Sequence, residues 1–524
     1  MSFMPVILWS DALVFLLLAS IGVAVRYVRR REHLLLPWRR VAQSGMAMVS
    51  LLVLSLFVAI GLLDTLHYRT ALPEQGNGGT VYSPEVLSVF DKLAEPLRTQ
   101  TEKTYSAPLA VTLYAKESMT DARGNTVRDY PRLKYGGAHL ADVSQRDGDV
   151  LWRGLKGALG GLLVGLLFVL TSAWLLLPSP AGGRGGEGSQ SKSKTPESSL
   201  RSTSLTSRDT LLARPAVCGS GCEAAIPAPD ASQCRVMAAT PTLSRLRERG
   251  QGLPLGSMLT TILIIAALIG MTVNLASAYH VLGTDKVGQD VLYLSLKSIR
   301  TGLIIGTVTT LVTLPLALFF GIAAGYFRGW VDDVIQYIYT VLSSIPSVLL
   351  IAAAVLMMQV TIDTHPEWFG TTASRADLRL VFLCLILGIT SWTGLCRLLR
   401  GETLKLREME YIQAAQSFGV PPARILTRHI VPNVMHIILI ALVMDFSGLV
   451  LAEAVLSYVG VGVDPSMISF GTMINGARLE MGREPMVWWA LAAAFCFMLV
   501  LVLAANLFAD AVRDAFDPRL NRVE

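Results

Sequence analysis

Hydrophobic positions gather into nine long runs, at about 6–25, 46–63, 158–177, 256–279, 301–325, 334–360, 379–396, 435–459 and 486–509. Each is rich in Leu, Val, Ile, Ala and Gly and holds very few ionised side chains. Runs of this length cross a hydrocarbon layer roughly 30 Å thick as helices. A helix also pairs its own backbone groups, which lipid cannot do for it. The pattern therefore predicts an all-α polytopic membrane protein with nine spans. The first run is followed by its arginines instead of preceded by them, the wrong polarity for a secretion signal.

The polar stretches orient the bundle. Residues 26–43 hold Arg26, Arg29, Arg30, Arg31, Arg39 and Arg40 against Glu32 alone. Between Arg397 and Asn433 six basic residues oppose Glu402, Glu408 and Glu410. Short basic loops stay in the cytoplasm. Both loops fit one nine-span alternation, with the N-terminus outside and the C-terminus cytoplasmic. Loops 361–378 and 462–485 are slightly acidic and fall outside.

Two long stretches remain. Residues 65–157 fall outside and read as a small periplasmic segment, with an amphipathic stretch at Val86–Leu97 and an alternating strand at Leu109–Tyr114. Residues 178–254 fall inside. Their Gly-, Ser-, Pro- and Lys/Arg-rich sequence offers too little apolar surface to offset chain entropy, and a disordered linker is expected. The segments are then 1–64 (two spans and a basic loop), 65–157, 158–177, the linker 178–254, and a final unit 255–524.

Composition agrees with this layout. The chain has 524 residues, 52% hydrophobic and 16% charged, where an average soluble domain carries about 25% charge. That excludes a water-soluble enzyme. A net charge of +6 would point to nucleic acid in a soluble protein. Here the basic excess lies beside apolar runs, so the expected partner is the lipid bilayer and not nucleic acid. Cys218, Cys222 and Cys234 lie in the linker, and Cys384, Cys396 and Cys496 in apolar runs. The C-x3-C spacing of the first two, with no His nearby, is a weak metal signal. No metal or cofactor is expected.

The loop before the eighth run is the informative one. From Glu410 to Asn433 it reads as a helix to about Phe418, a break at Gly419, and a second short helix from about Pro422. Gly suits a helix end and Pro a first turn. Ala414 and Ala415 give a small-residue surface, and Ile425, Leu426 and Ile430 share one side of the second helix. Two short helices under a bundle suit docking to a soluble partner. An ordinary solvated loop is the other reading of the same spacing.

This stretch resembles the EAA loop of ABC importer permeases, through Ala414, Ala415, Gly419 and Pro432, with Gln413 in the usual Glu position. His280-Val281-Leu282-Gly283-Thr284-Asp285 through Gly288-Gln289-Asp290-Val291-Leu292 is similar to a segment of the oligopeptide and dipeptide permeases, with Gln289 in place of Arg. Gly325–Asp333, Ser344–Ser347, Leu451–Val463 and Asp510–Pro518 keep that subfamily's order across 256–524. The resemblance implies a type I ABC importer permease core of about six helices, near 298–510, beginning at the fourth span. The extra N-terminal spans depart from the family pattern. Residues 37–63 also look like the core's first span, so the second and fourth runs compete for that place.

The resemblance implies an inner-membrane, binding-protein-dependent permease, for peptides in this subfamily. It implies two cytoplasmic ATP-binding subunits, a second homologous permease and a periplasmic substrate-binding protein as partners. ATPase docking falls to Gln413, Ala414, Ala415, Gly419, Arg424, Arg428 and Pro432, although positive-inside orientation explains the two arginines equally well. Asp285 and Asp290 are candidates to face the binding protein, against a local turn and cap.

Two carboxylates lie in the eighth run, Asp445 near its middle and Glu453 nearer its outer end, and Asp11 sits in the first at an expected interface. Intramembrane carboxylates are functional candidates by default. Pro315 and Pro346 are expected to kink their spans. Enzyme readings fail: no G-x-x-x-x-G-K-[ST], H-E-x-x-H or G-x-S-x-G occurs. An ion-coupled secondary transporter and a membrane-anchored scaffold are the alternative readings of an apolar chain of this kind.

Overall fold

The apolar runs become helices, and loop chemistry decides where each one stops. The computed structural model describes residues 3–30, 32–71, 82–120, 126–176, 254–365, 367 and 371–516. Residues 178–253, the expected linker with Cys218, Cys222 and Cys234, lie outside the described residues.

The helices run in order: α1 Trp9–Arg29, α2 Glu32–Gln43, α3 Gly45–Asp64, α4 Val89–Leu93, α5 Glu95–Thr99 and α6 Arg146–Leu176. They continue with α7 Leu255–Ala276, α8 Val291–Phe327, α9 Trp330–Ser344, α10 Ser347–Thr364 and α11 Thr372–Arg407. The last are α12 Glu410–Ser417, α13 Pro422–Ile425, a π turn Leu426–Ile430, α14 Val431–Val459, α15 Phe470–Glu480 and α16 Trp489–Phe516. Among the described residues eight helices are long and apolar enough to cross a membrane, and Trp9–Val23 within α1 is a shorter apolar stretch.

The sixth run does not form one kinked span. The residue before a proline is pushed out of the helical region, and Ile345 is extended at φ −89°, ψ 132°. α9 ends there and α10 restarts after Pro346. Pro315, by contrast, sits inside an unbroken α8.

The core forms around α8 and α11. A Cβ at Gly321 would stand 2.9 Å from the Cys396 carbonyl oxygen, and one at Gly325 2.8 Å from that of Arg400. Small residues let two backbones approach in this way. α10, α14 and α16 pack around this pair beside the shorter α9, and α3 completes a set of six spanning helices by packing on α8 and α16. The second run, not the fourth, is therefore the core's first helix. α7 buries only Leu275 and stays outside the core. Its close partner is α6: a Cβ at Gly161 would lie 2.1 Å from the Ala266 carbonyl oxygen, with Gly157 and Gly165 one turn to either side. α6 also starts at Arg146, well before its apolar run, and so takes in the end of segment 65–157.

One end of the bundle carries a small cap. Strands β1 Phe3–Val6, β2 His67–Thr70 and β3 Leu87–Ser88 form an antiparallel sheet, and β4 Glu117–Thr120 pairs with β5 Thr126–Asp129 as a hairpin. Val86–Leu97 becomes β3, α4 and much of α5. Leu109–Tyr114 is not a strand. Leu109 has φ +55° and donates its N–H to the His280 carbonyl, while Val111 and Leu113 are buried in separate clusters. Its alternation records anchoring of a turn.

Candidate functional site

The end opposite the cap carries a helical foot, built where α11 runs out of the bundle. α12 closes with a Schellman arrangement: Gly419 N–H donates to the Gln416 carbonyl and Val420 N–H to that of Ala415. Gly419 supplies the required left-handed residue at φ +72°. Pro422 then opens α13. The foot is seated by Ile412, Ile425 and Ile430, all fully buried against α8, α9 and α11 side chains. Arg400 grips Asp332 through two bonds of 2.6 and 2.7 Å, and Arg328 pairs with Glu408 beside it. Asn433 donates to the Tyr411 hydroxyl at 2.9 Å, tying α12 to α14.

The other side of the foot is open. Gln413, Ala414, Gly419, Arg424, Arg428 and Pro432 are exposed, and Ala415 is half-buried because it packs inward. Gln413 donates to the Glu408 carbonyl at 3.2 Å. The structure thus brings the sequence candidates onto one surface. It also adds Phe418, 87% exposed, with Met409 and Tyr411 nearby in sequence. Sequence reasoning passed over Phe418 as a helix end. The available signal was a large apolar residue directly before a helix-stopping glycine in a polar loop.

The acidic candidates at the cap end are used internally. Asp290 is buried, caps α8 through Leu292 N–H at 2.8 Å, and takes His280 Nδ1 at 2.8 Å. It is not turned outward toward a binding protein. Asp285 is half-buried and accepts the N–H groups of Val287 and Gln289, a local turn. Glu453 does not emerge at an interface. α15 folds back over it, and its carboxylate accepts the Ser457 and Ser469 hydroxyls at 2.7 and 2.9 Å. Asp11 is likewise fully buried and meets Arg300 and His67, each at 2.8 Å. Asp445 is half-buried and, unlike Asp285 with its backbone N–H groups, has no hydrogen-bond partner among the described residues.

His280 also joins the cap to the bundle. Glu102 faces it at 3.5 Å and accepts the N–H groups of Lys134, Tyr135 and Gly136. Burial alone would depress the imidazole, but Asp290 and Glu102 outweigh it and raise His280 to about 9. Burial would raise the Glu102 carboxyl, but the His280 bond and the three N–H groups outweigh that and bring it to about 2. A raised histidine stabilises fully below its ordinary 6.5 and loses this as pH climbs through about 9. A lowered carboxylate stabilises fully above 4.5 and loses this as pH falls through about 2. Cap attachment is expected to be firmest between pH 4.5 and 6.5. Hydrogen-exchange protection at Tyr135 and Gly136 should fall from pH 7 to 9, and His280→Gln should flatten that fall. Unchanged protection in the wild type across the range would contradict it.

Six crossings around a glycine-tightened pair, with a seated but open helical foot, define a polytopic transport permease. The sequence pattern of the family described as the binding-protein-dependent transport system inner membrane component matches residues 317–522. The oligopeptide transport system permease protein OppC of Mycobacterium bovis is 34% identical over 239 residues, 46% of this chain and 76% of that protein. The glutathione transport system permease protein GsiD of Pectobacterium atrosepticum is 34% identical over 47% of this chain and 74% of its own length. The dipeptide transport system permease protein DppC of Bacillus subtilis is 28% identical over 47% and 71%. The chain belongs to this family: it is a multi-pass inner-membrane permease of a binding-protein-dependent ABC importer.

Proposed function

We propose that this permease imports peptides and is driven by cytoplasmic ATPase subunits that dock on the α12–α13 foot. The observation that carries the reading is the foot itself: an apolar underside locked into the bundle, and an upper side presenting Ala414, Phe418 and Gly419. Ala414 permits close approach, Phe418 fills a pocket on the partner, and Arg424 and Arg428 offer charge at the rim. Rigid seating through Ile412 and Ile425 passes the partner's motion to α11 and α14, a rigid-body change.

A second homologous permease completes the solute path, and two ATPases serve the pair. A substrate-binding protein delivers solute at the cap end. Peptide is the solute class because the relatives are named for oligopeptides, dipeptides and glutathione. Sidedness follows the basic loops: foot in the cytoplasm, cap outside. Asp285, Gln413 and Pro432 take lesser parts, the first beside the binding protein and the others in shaping the foot.

Co-isolation with the neighbouring subunits and reconstitution into proteoliposomes tests the reading. Peptide uptake that requires ATP and both permeases is expected. Uptake by the isolated chain on a proton gradient, without ATPase, would overturn it.

A further inference from the structure

The middle of α14 packs only in part on the bundle, through Ala441 and Phe446. Val434 and Ile438 are buried below and Ser447, Leu449 and Val450 above, yet none of residues 439–446 is buried. Leu442 and Met444 are exposed, so this stretch leaves part of its surface without a neighbour among the described residues. Asp445 lies in this stretch, half-buried and pairing with no side chain among the described residues. One turn further on, a Cβ built at Gly448 meets no atom within 4 Å.

A second feature makes the same demand. The sixth apolar run is interrupted by irregular backbone between α9 and α10, and Ser343 to Leu349 are all exposed. Non-helical backbone at membrane depth persists only where protein covers it or water reaches it. An ionised group in a span likewise faces a bundle interior or a water-filled cavity. Asp11, Asp285, Asp290 and Glu453 each have partners within the chain; Asp445 has none among the described residues.

We infer that the middle of α14 and the α9–α10 break line a wetted solute route, and that Asp445 is its anionic contact, taking a side-chain ammonium or guanidinium group of a cationic solute. The inference rests on the peptide-importer reading. The same carboxylate offers nothing to a neutral solute, so its effect is on selectivity and not on drive.

The test uses the complete importer in proteoliposomes, with trilysine and trialanine as probes. A charge-assisted contact carries enough free energy that Asp445→Asn should cut trilysine uptake by about tenfold or more. Trialanine has a terminal ammonium but no side-chain ammonium, so its uptake should hold within about twofold. Asp445→Cys, in a chain otherwise free of cysteine, should react with a membrane-impermeant cationic thiol reagent, and trilysine should slow the reaction. Equal loss of both peptides would overturn the inference. So would failure of Asp445→Asn to assemble with the second permease, which would make the carboxylate a subunit contact. If the wild type moves neither peptide, the peptide reading fails. The thiol reaction then decides the route by itself, and protection of residue 445 in every nucleotide state overturns it.

Discussion

Phe418→Ala is expected to leave the bundle inserted while weakening ATPase capture by about 2 kcal/mol, the scale of an interface anchor, or roughly thirtyfold in Kd. The side chain is 87% exposed, so its truncation removes almost no packing from the chain itself. Gly419→Gln acts on the same point by another route. No atom lies within 4 Å of a Cβ at Gly419, so the cost there is not a clash. It is the left-handed conformation at φ +72°, about 1–2 kcal/mol for an ordinary residue. Relief of that strain opens the end of α12 and turns Phe418 away. Hydrolysis should continue in captured ATPase while uptake is lost. Pull-down of ATPase and ATP-driven uptake, measured side by side, separate the two variants, and normal uptake by both would remove the docking role.

The second large effect lies at the opposite end. Arg300→Met strands the Asp11 carboxylate, which is fully buried, with His67 as its remaining basic neighbour. Removing one partner of a buried ion pair costs about 3–5 kcal/mol, because the remaining charge has lost its compensation. α1 should leave its seat on α8 and α11, since the other polar tie there is Ser10 with Asp377. Replacing both members, Asp11→Leu with Arg300→Met, should recover most of the loss, because no buried charge is left behind. Thermal unfolding of the four forms in detergent yields the coupling directly. Additive losses would show that the pair is not coupled.

The helices were legible because each is written in one continuous apolar run, and the foot because Gly419 and Pro422 punctuate it. What escaped depended on contacts distant in sequence. Nothing near Asp11 announces Arg300, 289 residues away. Glu453 reads as emerging only until α15 is known to fold back over it. The choice between the second and fourth runs for the core could not be made from hydropathy, since both are apolar enough to span. Gly61 against Leu303 decides it, with a Cβ there 2.6 Å from Leu303 Cδ1. Pro346 was read as a kink because its flanks are apolar, whereas the extended Ile345 before it splits the span. Phe418 was missed because only the fold shows how exposed it is.

Docking of an ATPase requires the foot to stand on the cytoplasmic side. Phe418→Cys, in a chain otherwise free of cysteine, can be probed in intact cells with a membrane-impermeant thiol reagent and then by cross-linking. Protection until the membrane is opened, followed by a cross-link to an ATPase subunit, is the expected outcome. Labelling from outside intact cells would contradict it.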